Sequence, residues 1–501
     1  MRLPSWLWRV FRSRKTRIAL GCAPFAFCLA VVLFYYGTYW WGRSQAEKLL
    51  RDYEAAGHMV DPEKHWLPAV NPQDDLFQNP VVRQELEEAA MIPIVARHTK
   101  LPSLAKRLPR AEMGLARVTD LAKWVAPPAA DDRTAAELLL KEHHAAVERL
   151  EELRPALSRS MELVWPVETS RDPAKIANIT RPMLELPGRG NAAADIALLH
   201  LVAGDAEKAA GAVQVMLDLI RLELGPKPAP FLIDMADKLS QRAEQVIWEG
   251  VMRGIWSDDQ LQAFERSLAA LRPQEAAVKS HLGDIALLRS QTKWFLVSTR
   301  PFPKINISRP RKWDFPVIWG MLGNTAKQLR SPGLLLAKEV ESQRKFLEVT
   351  AYSGGKPRER FTPQEQAEFR RMADAADVDS IRLNGARQLS YLAISTLRLE
   401  TVIAITRTGI ALERYRFGPG RGSYPTSLEA LVPDFLPEVP MDPLATQPLR
   451  YKLQADGSPQ LWSVGGNYTD DGGLPHRDFT HGDFCWITRP IPGFTESDLR
   501  R

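Results

Sequence analysis

The sequence predicts a mainly α-helical chain with a single N-terminal transmembrane helix, an all-α middle domain and a small C-terminal α+β module. Three observations support this fold class. Residues 18–41 carry no charge, and strand signals are nearly absent between residues 44 and 440. A long run with helical period starts near Ala386, and two short alternating runs follow it. We expect that helix to pack on a small antiparallel sheet, because this arrangement buries both apolar faces.

Length and composition place the chain among multidomain globular proteins. Its 501 residues are 45% hydrophobic and 25% charged, which predicts two to four domains. We divide the chain into a basic tail over residues 1–17, a transmembrane anchor over 18–41, an extended or helical connector over 42–130, an all-α domain over 131–380 and an α+β domain over 381–501.

The net charge lies in the tail. Residues 1–17 hold six basic residues and no acidic one, which accounts for the whole net charge of +6. The rest of the chain is therefore neutral overall. A nucleic-acid-binding surface would need its positive charge on the folded part, so we expect no nucleic-acid partner.

The uncharged stretch has the length of a membrane span. Its 24 residues, Ile18 to Trp41, exceed the roughly 20 that cross a bilayer. Tyrosines and tryptophans crowd its far end as an interfacial belt, and the basic tail predicts a cytoplasmic N-terminus. A cleaved signal peptide and a lipoprotein signal at Gly21-Cys22 are the alternatives, but we find no small-x-small cleavage site. We predict a single-pass inner-membrane protein with its bulk outside the cytoplasm.

Three cysteines give no disulfide outside the span. Cys22 and Cys28 lie within the uncharged stretch, and Cys485 is alone beyond it. The stability of the folded part therefore depends on its cores.

The middle of the chain reads as a series of helices, forming a bundle or an irregular solenoid. An apolar face from Ala135 to Leu153 follows a capping aspartate, Asp131 or Asp132. A helical hairpin turns at Gly204-Asp205, and Ser257 with Gln260 forms a capping box. Further predictions are helices over 229–255 and 273–298, a packed Trp-rich loop over 300–319 and a helix cap at Thr362.

The C-terminal stretch has a clear order of elements. The long helix ends at Gly418-Pro419-Gly420, and a short helical turn covers 427–431. Residues 449–453 and 461–464 predict a hairpin around Asp456-Gly457, and residues 483–487 predict a third strand.

The motifs of this stretch resemble the C-terminal domain of the major pseudopilin of type II secretion. They include Leu431-Val432-Pro433, Asp442-Pro443 and Trp462-Ser463-Val464-Gly465. The resemblance implies a pseudopilin-like fold, and it is strongest at these signature residues: Tyr424, Pro425, Leu428, Leu431, Pro440, Asp442, Pro443 and Trp462. In that family the long helix continues the membrane segment, whereas here a long stretch of chain separates the two.

The resemblance also implies calcium in the loops of the sheet. Glycine-punctuated, oxygen-rich loops suit a cation that takes six to eight oxygen ligands. The candidate ligands are Asp470, Asp471 and Asp483, with Ser463 as a helper. The alternative is an ordinary Asp-Asp-Gly-Gly turn. His476 and His481 would need a third ligand to hold a transition metal.

No catalytic residue is predicted. The sequence contains no Gly-x-Ser-x-Gly elbow, phosphate-binding loop or His-Glu-x-x-His motif. We interpret His143-His144 as part of a solvated helix face and His200 as a core histidine. The whole layout resembles bacterial envelope proteins, a resemblance that implies no particular activity. Our leading hypothesis is a structural or interaction role with membrane and envelope partners, in association with a secretion or pilus-like apparatus. The alternatives are a peptide- or glycan-binding groove in the helical domain and a hydrolytic enzyme with a scattered site.

Overall fold

The computed structural model describes residues 14–55, 79–80, 112–125, 127–157, 190–225, 230–282, 340, 344, 385–445, 447–476 and 481–498. Only the backbone is described at residues 14–28, 31–32, 35, 230–231, 385–391 and 393. Over these residues the chain is mainly α-helical and contains a three-stranded antiparallel sheet. The mainly helical fold class with a small C-terminal sheet is confirmed.

The chain divides into two compact units. Of the described residues, 14–55, 340, 344 and 385–386 belong to the first unit, and the rest belong to the second. The helices, in chain order, are α1 (Arg14–Ala55), α2 (Asp132–Glu142), α3 (His144–Leu157), α4 (190–203), α5 (Ala206–Glu223), α6 (Pro230–Met252), α7 (Asp258–Ala269), α8 (273–282) and α9 (Gly385–Phe417). Two 3₁₀ turns lie at Met113–Leu115 and Leu428–Leu431, and the strands are β1 (Arg450–Leu453), β2 (Pro459–Ser463) and β3 (Phe484–Ile487).

Helix α1 is continuous over 42 residues and changes character along its length. Its later part buries one face at helical spacing, formed by Ala46, Leu49, Leu50 and Tyr53. Its earlier part exposes large apolar side chains, which are Leu29, Leu33, Phe34, Tyr36, Trp40 and Trp41. Within the part of the chain that the structure describes, no helix is long and apolar enough to span a bilayer.

The helix ends of the second unit follow local capping chemistry. The Asp131 carboxylate accepts from the Thr134 amide at 2.7 Å, and Asp205 caps α5 in the same way. Ser257 and Gln260 form the predicted capping box of α7. Asp131 is thus the cap of α2, because its oxygen satisfies an orphan amide of the first turn.

The predicted apolar face from Ala135 to Leu153 belongs to two helices. Helix α2 stops at His143, whose φ of −104° and ψ of 23° lie outside the helical region. Its amide donates to the Leu139 carbonyl, while its own carbonyl accepts from the amides of Ala146 and Val147 and starts α3. The single helix predicted there is therefore two helices, which meet at His143.

The helical hairpin and the sheet form as predicted. Gly204, with φ of 86°, makes the turn between α4 and α5. Strand β2 pairs antiparallel with β1 and with β3, so the order is β1-β2-β3. Gly457, with φ of 78°, lies in the hairpin turn between β1 and β2. The predicted third strand is β3.

Helix α9 packs on the sheet through a glycine. A Cβ at Gly409 would overlap the indole of Trp486, which lies in β3 and is fully buried. The apolar side chains of α9, the sheet and helices α5, α6 and α7 belong to one hydrophobic cluster. The indole of Trp248 in α6 donates to the Ile487 carbonyl at 2.8 Å, and the 3₁₀ turn Met113–Leu115 packs against β3. The sheet is thereby joined to the helices.

The polar face of α9 is paired with acids of α6 and α7. Three arginines along it meet three carboxylates from distant parts of the sequence. The pairs are Arg398 with Asp237, Arg407 with Glu265 and Arg414 with Asp258. Residues on both sides of the predicted boundary at 381 therefore share one core, although the predicted segment bounds themselves stay a prediction.

Three predictions lie on residues outside the described ranges. They are the continuation of α8 beyond residue 282, the Trp-rich loop over 300–319 and the helix cap at Thr362.

Candidate functional site

The predicted calcium ligands lie in the loops at one end of the sheet, which we call the carboxylate loops (residues 441–445, 464–476 and 481–483). Ser463 is the last residue of β2, and Asp470 and Asp471 lie in the loop that follows it. Asp483 precedes β3 directly, and its segment pairs with the loop after β2 through the bridge between Pro475 and Asp483. The strands thus bring these side chains to one edge.

Asp442, a signature residue, is the buried centre of these loops. It is 0% exposed, and one of its oxygens accepts from Ser463 Oγ at 2.7 Å and from the Leu444 amide at 2.9 Å. The other accepts from the Val464 amide at 3.0 Å and from Arg450 Nη1 at 2.7 Å. Four donors for one buried carboxylate explain why an aspartate is stable there.

Arg450 and Trp462 both bind Asp470. They face each other across β1 and β2 in the strand register. Arg450 Nε donates to Asp470 Oδ2 at 2.8 Å, and Trp462 Nε1 donates to Oδ1 at 3.0 Å. Burial alone would raise the pKa of Asp470, but the hydrogen bonds from Trp462, Gly472 and Arg450 together lower it. Asp470 is therefore held in its charged form.

Asp483 binds backbone amides of the loop that follows β2. Its carboxylate accepts from the Gly473 amide at 2.6 Å and from the Asp471 amide at 3.2 Å. Burial raises the pKa of Asp483 to about 6, the two amides oppose this shift, and the nearby carboxylates of Asp470 and Asp471 add to it. Gly473 has φ of 82°, and a Cβ there would overlap the Gln460 amide group, so the turn requires glycine.

The four candidate ligands are all engaged in hydrogen bonds within the chain. The Asp470 and Asp483 oxygens accept from N–H groups, Asp471 accepts from Asn467 Nδ2 at 2.8 Å, and the Ser463 hydroxyl donates to Asp442. A calcium ion needs six to eight oxygens turned toward one point. Within the described ranges, no three or more His, Cys, Asp or Glu side chains form a group that could hold a metal ion. Calcium binding here stays a prediction.

The two histidines of this region lie together. The rings of His476 and His481 have centroids 5.1 Å apart, at an angle of 44°. The pair therefore offers two ligands, and a transition-metal site at these histidines also stays a prediction.

The other signature residues fix the path from α9 to the sheet. Tyr424 Oη donates to the buried Glu413 carboxylate at 2.6 Å, and Tyr451 Oη donates to the Pro425 carbonyl at 2.7 Å. Leu428 and Leu431 are buried in the second 3₁₀ turn. The Pro440 carbonyl accepts from the Leu449 amide at 2.9 Å, and Pro443 follows Asp442. Their roles in this structure are structural.

Among the buried acids that the sequence reasoning missed, two have carboxylate oxygens without a hydrogen-bond partner in the described part of the chain. Glu223 and Glu244 are 1% and 3% exposed, and burial raises the pKa of each well above its ordinary value. Both Glu223 carboxylate oxygens and one of Glu244 lack a hydrogen-bond partner in the part of the chain that is described. The burial of Glu244 could have been predicted from its position in the helix. It is four residues from both Ser240 and Trp248, which are buried in α6, so all three lie on one helix face.

The histidines of the helices differ in their surroundings. His143 is half-buried, and its Nδ1 is buried without a hydrogen-bond partner in the described part of the chain. His143 and His144 lie at the junction of α2 and α3, and His144 is exposed. His200 is 5% exposed in α4, and burial lowers its pKa while Asp205 partly opposes this.

Comparison with known proteins adds no relative. The chain matches no protein-family model, no curated protein and no solved structure.

Proposed function

We propose that this chain is a membrane-anchored protein of the bacterial envelope that acts as a structural or interaction module. Its N-terminus lies in the cytoplasm and its folded part lies outside. The observation that carries this proposal is the run of exposed, large apolar side chains on α1. The pseudopilin-like motifs add the expectation that its partners belong to a secretion or pilus-like apparatus.

The exposed side chains of α1 need apolar surroundings. Leu33, Phe34 and Trp40 are 63%, 59% and 60% exposed. Moving one such side chain from water into an apolar medium contributes about 1.5–3 kcal/mol. They lie within the stretch of 24 uncharged residues whose length matches a bilayer, so lipid is the surrounding that accounts for them.

The end of the apolar stretch has the character of a membrane interface. Arg43 lies with its guanidinium carbon 5.6 Å from the Trp40 ring centroid, and its Nε is 2.6 Å from the Glu47 carboxylate. Indole rings and basic side chains favour the headgroup region. Three residues beyond Arg43, at Ala46, the buried face of α1 begins. Helix α1 therefore passes without a break from the proposed span into the fold of the first unit.

The second unit supports a scaffold role. Its helices and sheet share one core, and arginine–carboxylate pairs join α9 to α6 and α7. The carboxylates of the sheet loops are held by N–H and O–H donors of their own chain. Such contacts hold the surface of the second unit in one conformation. A surface that is already ordered loses less conformational entropy when a partner binds.

Charged substitutions in α1 test the anchor. We expect Leu29→Asp combined with Leu33→Asp to release the protein from membranes, because an aspartate at the centre of a span costs about 2.5–3.5 kcal/mol. The measurement is the fraction that sediments with membranes after an alkaline carbonate wash. Leu138→Asp in α2 is the matched control, since Leu138 is also an exposed leucine, at 56%.

Equal sedimentation of the double variant and the control would contradict the anchor. Protease added to spheroplasts tests the topology, and we expect the C-terminal module to be digested. Protection of that module in intact spheroplasts, with digestion after lysis, would reverse the proposed orientation.

Partner identity is tested by unbiased crosslinking in cells. We expect envelope proteins of a secretion or pilus-like apparatus to be recovered. Recovery of a peptide or glycan bound to the helical domain would instead favour the alternative, a binding groove.

A further inference from the structure

Arg450 lies between two carboxylates that come from different loops. Its Nη1 is 2.7 Å from Asp442 Oδ2, and its Nε is 2.8 Å from Asp470 Oδ2. The arginine side chain is 17% exposed, and the Asp442 side chain is 0% exposed. One guanidinium therefore joins the loop before β1 to the loop after β2.

The carboxylate loops carry an excess of negative charge. Four aspartates lie there: Asp442, Asp470, Asp471 and Asp483. Lys452, on the same strand as Arg450, binds the Gly472 carbonyl at 3.3 Å and lies over the Trp462 ring. Among the described residues of this region, Arg450 is thus a cation that touches carboxylate oxygens directly, in charge-assisted bonds that are stronger than neutral ones.

We propose that Arg450 is a built-in counter-ion that occupies a cation position of the carboxylate loops, so that these loops fold without calcium. A bound calcium ion would lie about 2.3–2.6 Å from its oxygens, close to where the guanidinium nitrogens now lie. The ion and the arginine would therefore compete for the same two carboxylates. Of the predicted calcium ligands, Arg450 binds Asp470, and its second carboxylate, Asp442, is a signature residue outside that set.

The strand register explains why Arg450 reaches both acids. It lies at the first position of β1, opposite Trp462 on β2. Trp462 directs its indole N–H to the other oxygen of Asp470. The two cross-strand partners thus hold one carboxylate from both sides, and the second nitrogen of Arg450 is left for Asp442.

The first test compares the wild-type chain with and without calcium. In detergent, we expect the Tm of the full chain to be the same in millimolar calcium and in chelator. We also expect hydrogen exchange at the Gly473 amide, which Asp483 binds, to be slow in both. A calcium-dependent rise in Tm, or exchange that slows only with calcium, would overturn the proposal.

The second test removes the charge. We expect Arg450→Ser to lower the Tm by about 5–15 °C and to speed exchange at Gly473, since it leaves a buried acid without its partner. Millimolar calcium should restore at least half of that loss, because the shortened side chain vacates one acceptor position on each carboxylate. Magnesium, which needs closer oxygens in near-ideal octahedral geometry, should restore less.

Two control variants complete the design. Arg450→Lys keeps the positive charge but loses the two guanidinium nitrogens that bind both carboxylates. We therefore expect a smaller loss of Tm and no calcium response. Lys452→Ser removes a charge from the same strand without touching a carboxylate, and it should not respond to calcium. A Ser variant at position 450 that calcium fails to rescue, or that stays unfolded in calcium, would overturn the cation position.

Discussion

Helices α1 and α9 are both long and rich in apolar residues, yet they differ in how far their apolar side chains are buried. Helix α9 buries its apolar face on the sheet, with Gly409 under the Trp486 indole, and pairs its arginines with acids of α6 and α7. Helix α1 leaves large apolar side chains exposed between Leu29 and Trp41. An apolar helix face is stabilised when either protein or lipid covers it. Helix α9 is covered by protein, whereas the surroundings that we propose for the exposed side chains of α1 are lipid.

The largest expected difference between the two helices is the loss of stability when an arginine of each is replaced by methionine. Arg398→Met would leave Asp237, which is 0% exposed, as an unpaired buried charge, so we expect the free energy of unfolding to fall by about 3–5 kcal/mol. The measurement is denaturant unfolding of the full chain. Adding Asp237→Asn should recover part of the loss, because it removes the unpaired charge.

Arg43→Met in α1 is the matched control. Its pair with Glu47 is 36% and 45% exposed, and such pairs contribute about 0–1 kcal/mol. Similar losses for Arg398→Met and Arg43→Met would remove the distinction between the helices.

A glycine pair gives the next largest effect. Gly409→Ala places a methyl group against the Trp486 ring, and we expect a loss of about 1–3 kcal/mol from overpacking. Gly37→Ala in α1 meets nothing within 4 Å, so the same change there should be neutral or slightly stabilising. Thermal unfolding followed by near-UV circular dichroism measures both. A stabilising Gly409→Ala would show that α9 does not pack on the sheet as described.

The smallest effect is a pH dependence within the α9 interface. Burial raises the pKa of Asp237 above its ordinary value of 3.8, and Arg398 partly opposes the shift. The folded state therefore holds this proton more tightly than the unfolded state does. Stability from this group is present below pH 3.8 and is lost as pH rises through the folded pKa.

The matched measurement is the difference in Tm between the wild type and Asp237→Asn across this range. We expect the wild type to become less stable relative to the variant as pH rises from 3.8 toward neutrality. A difference that stays constant, or that grows in favour of the wild type, would contradict the raised pKa.

The sequence predicted those features that depend on near neighbours. Ser257 and Gln260 are three residues apart, and the β1–β2 hairpin is closed by a turn at Gly457, so their chemistry is visible in a short window. The break at His143 was not predicted, because its neighbours keep a helical apolar period on both sides.

Contacts between distant residues could not be read in this way. Arg398 and Asp237 are 161 positions apart, and no local sequence pattern in either segment indicates that the two residues pair. The carboxylate loops show the same limit at a smaller scale. Oxygen-rich composition indicated a cation, but the cross-strand register that brings Arg450 to Asp442 and Asp470 is a property of the folded sheet.

The bond from the Trp248 indole to the Ile487 carbonyl has a consequence for self-association. Strand β3 is an outer strand, and an outer strand with free backbone groups is a template for pairing with another chain. Here a side chain from α6 occupies one of those groups, and the turn Met113–Leu115 packs beside the strand. An incoming chain would meet side chains on that flank, which hinders strand pairing along β3.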